Sequence, residues 1–325
     1  MSTYGATTTT DEVLRDHDLT GRRYVITGAS SGLGEESARA LAAKGARVTL
    51  LARDPAKAAA AADRITAAVP GAAIETGIVD LASFESIRSF AAGYLADHQA
   101  IDVLINNAGV MACPQQETAN GFELQFGTNH LGHFLLTALL FPAVMAGDGP
   151  RIVNLSSAGH ATSDVNLDDI SFEAGDYTPW VAYGRSKTAN ALFSRGLARR
   201  YGDQGLLSFA VHPGGIMTDL GRHLTDELIA EMVTNSKARS EAHGSSGGFE
   251  FKTVEAGAAT QVWASVADLA DLANRNGAYL ADCQLGVEGG NPNTTGFMSY
   301  LCDDATTDQL WTMSEELVGE RYPPV

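Results

Sequence analysis

The most constraining feature of this chain is a glycine-bearing stretch set between a predicted strand and a predicted helix. Residues 23–27 read Arg-Tyr-Val-Ile-Thr, a short apolar run rich in β-formers. Gly28-Ala29-Ser30-Ser31-Gly32-Leu33-Gly34 follows at once, then a helical pattern from Glu35 to about Lys44 with Gly45 as its stop. Glycine at such a junction lets the backbone turn tightly and come close to a bound group. The helix N-terminus beyond it presents free N–H groups that favour an anion. A plain structural turn uses the same residues, so it is the strand–loop–helix setting that makes the loop informative.

The alternation continues. Strands are predicted at 47–52, 73–79, 101–105, 151–155, 207–211 and 278–280. Helices are predicted at 56–69, 83–98, roughly 122–145, 181–193, 255–267 and 307–318, with Asp54-Pro55 as N-cap and first helical residue of the first of these. Strands and helices of this length in turn imply a doubly wound α/β fold, a parallel sheet covered on both faces. One domain is expected over 20–325, with an extended C-terminal segment and a substrate loop at about 216–252. Residues 1–19 lack apolar periodicity and read as an arm, either mobile or a surface strap; Ser236 to Phe249, rich in Gly and Ser, reads as a mobile loop.

Composition narrows the class. With 325 residues, 45% hydrophobic, the chain can bury a sizeable core, and its formal charge of −17 disfavours nucleic acid and anionic membranes as partners. Cys113, Cys283 and Cys302 are odd in number and far apart, which suits reduced thiols and neither a disulfide framework nor a zinc site. The first ten residues are small and polar, unlike a signal peptide, and the apolar run 134–146 is too short to span a bilayer and contains Pro142. A cytoplasmic location without a membrane anchor is the expectation.

In doubly wound sheets, ligands sit outside the carboxyl ends of the strands. There stand Gly28 to Gly34, Arg53, Asp80, Asn106 to Gly109, Ser156-Ser157 and Pro213-Gly214. The end of the second strand holds no acid to bind a ribose; Asp54 has a local task as helix cap, and Arg53 offers a guanidinium suited to a 2′-phosphate. NADP(H) is therefore favoured over NAD(H), with Ser30 and Ser31 adding hydrogen bonds. Tyr183 and Lys187, four apart on one helix face, form a candidate acid/base pair, since a nearby ammonium lowers a phenol's pKa. The same spacing arises by chance in many helices.

Together Thr27 to Gly34, Asn106-Asn107-Ala108-Gly109, Tyr183-x-x-x-Lys187 and Pro213-Gly214 resemble the short-chain dehydrogenase/reductase family over roughly residues 20–290. The stretches 106–114, 127–137 and 151–160 are similar to its branch of retinol dehydrogenases and WW-domain oxidoreductases. The resemblance implies a Rossmann-type fold and a catalytic tetrad of Asn129, Ser157, Tyr183 and Lys187. Tyr183 would exchange a proton with the substrate oxygen, and Lys187 would lower its pKa and hold the nicotinamide ribose. Ser157, with Ser156 as the alternative, would bind the substrate oxygen, and Asn129 would hold a water in a proton path to Lys187.

The resemblance also assigns cofactor contacts: Gly28, Ser30, Ser31, Gly32, Leu33 and Gly34 at the phosphates, and Asp80 and Leu81 at the adenine. Asn107, Ala108 and Gly109 would line the adenosine ribose, and Pro213, Gly214, Ile216 and Thr218 the nicotinamide end. His130 and His133 stand three apart but lack a third ligand, so no metal is expected, and Cys113 reads as a packed thiol. The expected activity is interconversion of a carbonyl and an alcohol on a small molecule. The alternatives are an NADPH-dependent C=C reductase and a catalytically silent dinucleotide sensor. The apolar helix at 134–145 is either core or the face of a homo-oligomer.

Overall fold

The structure, a computed structural model, describes residues 4–244, 251–268, 270, 272 and 274–324. Its frame is one sheet of β1 (Arg23–Thr27), β2 (Arg47–Ala52), β3 (Ala73–Ile78), β4 (Val103–Asn106), β5 (Arg151–Leu155), β6 (Leu207–His212), β7 (Tyr279–Ala281) and β8 (Gln284–Leu285). The strand order is β3-β2-β1-β4-β5-β6-β7-β8, parallel except where β8 folds back on β7. The order reverses between β1 and β4, which opens a crevice at their carboxyl ends. Two short parallel strands, β9 (Val287–Glu288) and β10 (Gly296–Phe297), lie beyond the sheet.

Helices cover both faces. α1 (Thr10–Val13), α2 (Gly32–Ala42), α3 (Pro55–Ala68) and α4 (Phe84–Asp97) precede the short α5 (Leu124–Phe126) and α6 (Gly132–Met145). α7 (Pro179–Tyr201), α8 (Asp226–Ala242), α9 (Val254–Val266) and α10 (Asp304–Val318) complete the set. One core layer packs α1, α2 and α9 under β1 and β2, through Leu14, Leu41 and Val262. The other packs α4, α6, α7 and α10, through Ile87, Leu140, Phe193 and Trp311. Among the described residues no helix is long and apolar enough to cross a membrane.

Three stretches differ from the sequence expectation. The arm holds a helix with a capping box at Thr9 and Glu12, and buries Val13, Leu14 and Leu19 against the core; one turn is too short to show periodicity. The helix expected over 122–145 is broken into α5, a π-helical turn at Gly127–Leu131 and α6. Ser236 to Ala242, expected in a loop, forms the last turns of α8, where Ser236 and Ser240 are buried. Asn293 Nδ2 donates to Ser236 O at 2.6 Å and to Ser240 Oγ at 2.9 Å, a tertiary clamp that local composition does not reveal. Residues 245–249 of that expected loop lie outside the described residues. The apolar helix α6 finds its partners within the chain, where Phe134 meets Trp311 and Tyr322 edge-on.

Candidate active site

A cavity of about 620 Å³ runs along the carboxyl ends of β1, β4, β5 and β6. Its wall includes Gly28, Ser30, Ser31, Gly32 and Leu33 at one end, and Ser157, Tyr183 and Lys187 at the middle. Asn107, Ala108, Gly109, Pro213, Gly214, Ile216 and Thr218 complete the stretches expected from the sequence. Gly34, Asn129, Arg53, Asp80 and Leu81 are not in the wall. Gly34 packs on the Gly28 carbonyl. Arg53 is exposed at the end of β2 and has no ion pair among the described residues, while Asp54 accepts from the N–H groups of Ala56 and Lys57 as the cap of α3. One Asp80 oxygen accepts from Ala82 N at 3.0 Å, and the Leu81 carbonyl lies under Gly132.

The glycine end is shaped to hold an anion. Gly28 has φ +66°, and a Cβ there would stand 2.8 Å from the Ala108 Cα, so loop and β4 turn meet backbone to backbone. Asn107 Nδ2 donates to Thr27 O at 2.8 Å, and Thr27 Oγ1 accepts from the N–H groups of Asn107 and Ala108, both at 2.9 Å. Asn107 thus ties the two loops together with its side chain. Ser31 makes no side-chain cap on α2, whereas Asp54, Ser83, Thr178, Thr225 and Thr253 cap α3, α4, α7, α8 and α9. The first N–H groups of α2 are left for a ligand, which fits the diphosphate of a dinucleotide.

At the middle of the cavity, α7 brings Tyr183 and Lys187 to one face. Lys187 Nζ donates to Leu155 O at 3.0 Å and lies 5.6 Å from the centre of the Tyr183 ring. Burial pushes Lys187 down to about 8 and Tyr183 up to about 12, and a hydrogen bond with Ser157 pulls the phenol back in part. The expected lowering of the phenol by the ammonium does not enter: desolvation sets the direction, and the one opposing cause is the Ser157 hydrogen bond. Ser156 and Ser157 separate cleanly: Ser156 is buried and donates to Lys187 O at 2.8 Å, while Ser157 Oγ faces Tyr183 and accepts from Gly159 N at 3.0 Å.

Asn129 sits in the π-helical turn behind these groups. Its amide donates to Val110 O and Ser186 Oγ, both at 2.9 Å, and its Oδ1 accepts from Val110 N at 2.8 Å. The Asn129 carbonyl accepts from His133 Nδ1 at 2.8 Å, which leaves His133 Nε2 to accept from the Thr27 hydroxyl at 2.8 Å. His130 instead meets Ser314 Oγ with Nε2 at 2.8 Å, so the two rings serve different contacts. Cys113 is fully buried, its thiol pushed up to about 11 by desolvation.

Several wall residues carry roles that sequence reasoning missed. A Cβ on Gly159 would sit 2.7 Å from two Tyr183 ring carbons, so this glycine's backbone supports the ring face. His160 Nδ1 donates to Ser157 O at 2.6 Å, and its Nε2 accepts from Met298 N at 3.2 Å. The string Ser-Ser-Ala-Gly-His is visible in the sequence, but these duties depend on residues far away in the chain. Trp180, His212 and Arg239 also line the cavity and carry no local sequence signal. The acidic excursion between Ser157 and Tyr183 docks on α7 through Arg185, whose Nη1 donates to Asp169 O at 2.7 Å, and places no carboxylate in the wall.

Comparison with known proteins agrees with this geometry. Residues 22–228 match the sequence model of the family described as short chain dehydrogenase. Short-chain dehydrogenase/reductase prx1 of Penicillium roqueforti is 37% identical over 318 residues, covering 95% of this chain and 89% of that protein. Retinol dehydrogenase 12 of Homo sapiens is 37% identical over 309 residues, covering 94% and 88%. A crystal structure of an uncharacterized protein from Mycobacterium paratuberculosis superposes with a TM-score of 0.73 at 33% identity, covering 98% of this chain and 99% of that one. With a mostly parallel sheet, an open helix end beside a glycine loop and hydroxyls beside a buried lysine, this chain belongs to the short-chain dehydrogenase/reductase family, oxidoreductases that act on CH–OH and C=O groups with a nicotinamide dinucleotide.

Proposed function

We propose that the chain reduces a ketone or aldehyde to an alcohol, and catalyses the reverse, with NADP(H) as cofactor and Tyr183 as the acid/base group. The observation that carries this reading is the meeting of the Tyr183 and Ser157 hydroxyls in the cavity wall, with Lys187 one helical turn along α7. The cofactor, when bound, supplies or accepts the hydride. Tyr183, its phenol held protonated at neutral pH by burial, gives its proton to the substrate oxygen in reduction. Ser157 donates a hydrogen bond to the same oxygen and stabilises the charge that develops there. Lys187 remains an ammonium at neutral pH and would hold a ribose hydroxyl of the bound cofactor. Asn129 fixes the turn of Gly109 and Val110 against α7, through Val110 N and Ser186 Oγ.

Tyr183→Phe tests the mechanism. Turnover is expected to fall by three or more orders of magnitude, roughly the loss of general acid help plus an oxygen contact, while NADPH affinity stays near wild type by fluorescence titration. Near-normal turnover in that variant would sink the reading. The preference for NADP(H) rests on Arg53, exposed and free of ion pairs among the described residues, and on Asp54 serving as the α3 cap. Arg53→Ala should raise the KM for NADPH roughly tenfold, the worth of one charge-assisted contact, and leave that for NADH nearly unchanged. Equal effects on both reject the 2′-phosphate role.

A further inference from the structure

Beyond the Tyr183 centre the cavity continues between the 3₁₀ turn at Ala158–Thr162 and α8. Its wall here carries an apolar strip of Trp180, Leu224, Ile229 and Met232, and one inward guanidinium, Arg239. Arg239 Nη1 makes a single long hydrogen bond, 3.5 Å to Thr162 Oγ1, and Nε is buried without an acceptor. Among the described residues Nη2 has no hydrogen bond and the side chain has no ion pair. Arg22, Arg185 and Arg200 also bury a guanidinium nitrogen without an acceptor, but none of them lines the cavity, and each has an ion pair or a short hydrogen bond: Arg22 with Asp102, Arg185 with Asp169 O at 2.7 Å, Arg200 with Asp308.

A guanidinium removed from water without an acceptor is costly, and it persists where something else supplies one. Among the described residues, two in the wall hold a buried side-chain atom without a partner, Trp180 Nε1 and Arg239 Nε, and both atoms are donors. Charges lining the cavity have the same bias: Lys187, Arg222 and Arg239 against Asp219 alone, in a chain of net charge −17. Nor is Arg239 on a loose element. Asn293 clamps Ser236 and Ser240 on either side of it, and Asn291 Nδ2 donates to Ser240 Oγ at 3.4 Å. Thr162, its one hydrogen-bond partner among the described residues, packs against Gly184, the residue after Tyr183. Arg239 therefore belongs to the Tyr183 end of the cavity, away from the glycine loop.

We propose that Arg239 is a specificity-determining residue that binds a carboxylate on the substrate. The substrate is then an aldehyde or ketone, or the matching alcohol, with an acid group at the end of an apolar stem lying along Trp180, Leu224, Ile229 and Met232. This inference rests on the oxidoreductase reading for its reacting group but not for its anion site. An arginine–carboxylate contact shielded from water contributes about 10- to 100-fold in affinity.

The test has two parts. In the first, a length series of aliphatic aldehydes ending in a carboxylate is assayed with NADPH beside the methyl ester of each. Wild type should prefer at least one acid over its ester by roughly tenfold or more in kcat/KM, chiefly through KM. In Arg239→Leu that ratio should fall to about one, and Arg239→Lys should restore part of it. A wild-type ratio near one, or a ratio unchanged in Arg239→Leu, overturns the inference. In the second part, saturated fatty acids and the matching primary alcohols are titrated calorimetrically into the complex with NADPH, with which neither can react. Acid binding should weaken roughly tenfold in Arg239→Leu and alcohol binding should not. Equal loss for both ligands, or weakened NADPH binding with acid binding unchanged, overturns the inference. If no aldehyde is turned over yet the acid still binds through Arg239, the oxidoreductase reading fails and the anion site stands.

Discussion

At the scale of single residues, this site works through burial more than through pairing. Tyr183 and Lys187 are both enclosed, and desolvation moves each toward its neutral form, the phenol up and the ammonium down. A phenol pushed up to about 12 is an acid at neutral pH, which suits the reductive direction, and oxidation should accelerate as the pH rises. Lys187 is charged below about 8 and neutral above it, so the reductive kcat/KM should hold from pH 6 to 7.5 and decline with a midpoint near 8. A decline that begins only above pH 10 would contradict the depressed ammonium. Gly159 gives a second residue-scale test. Its backbone touches the Tyr183 ring, so Gly159→Ala should displace the phenol and cut kcat by roughly ten- to a hundredfold, the cost of an ångström-scale misplacement. The dissociation constant for NADPH should stay within a factor of about two, because the glycine loop lies elsewhere.

At the scale of elements, the loop after β5 that carries Ser157 is held from the far end of the chain. His160 donates to the Ser157 carbonyl and accepts from Met298 N, while the Tyr300 hydroxyl donates to the His160 carbonyl. The segment after β10 is therefore a buttress for Ser157, and His160 is a positioning residue. His160→Ala is expected to lower kcat about tenfold with little change in the KM for NADPH, since only the orientation of Ser157 is lost. A changed KM with kcat intact would mean a general loosening instead. The two ends of the stretch expected as a substrate loop are tied together in a similar way: Lys252 N donates to Gly215 O at 2.8 Å, and the Lys252 ammonium pairs with Asp282 at the end of β7. Both side chains are largely buried, at 13% and 14% exposure, so removing one charge leaves the other uncompensated. Asp282→Asn should lower stability by about 1–3 kcal/mol, measurable by denaturant titration.

At the scale of the molecule, the core holds an unusual number of neutral imidazoles. Burial pushes His130 down to about 3, His133 to about 4, His160 to about 4 and His212 to about 3. The unfolded chain binds these protons near pH 6.5, so unfolding takes up protons as the pH falls below that value. The stability they contribute is complete above about pH 6.5 and drains away toward the folded-state values, on the order of 1 kcal/mol per pH unit for each ring. Glu123 and Asp164, both raised by burial, act in the opposite sense but are fewer. The melting temperature should be flat from pH 7 to 8 and fall on the order of ten degrees between pH 7 and 5. A profile flat down to pH 5 would contradict the burial of neutral histidines.

What the sequence determined by itself is the frame and the chemistry that stands on it. Short apolar runs alternating with capped helices dictate a parallel sheet, because hydrogen-bonded strands and their covering helices follow from local periodicity and from glycine and proline stops. Gly28, Ser30 to Leu33, Asn107 to Gly109, Ser157, Tyr183, Lys187 and Pro213-Gly214 fall at strand ends or on one helix face, so their convergence could be read from the sequence and is seen in the cavity wall. Tertiary structure alone decided the rest. Ser157, which the resemblance already favoured, faces Tyr183 while Ser156 turns to Lys187 O, and these directions, the π-helical turn at Asn129 and the helical end of α8 came from packing partners many residues away. The direction of the Tyr183 and Lys187 shifts, and the guanidinium of Arg239 left without an acceptor, were likewise fixed by burial. Burial is a property of the assembled molecule, set by contacts between distant segments, and no local pattern encodes it.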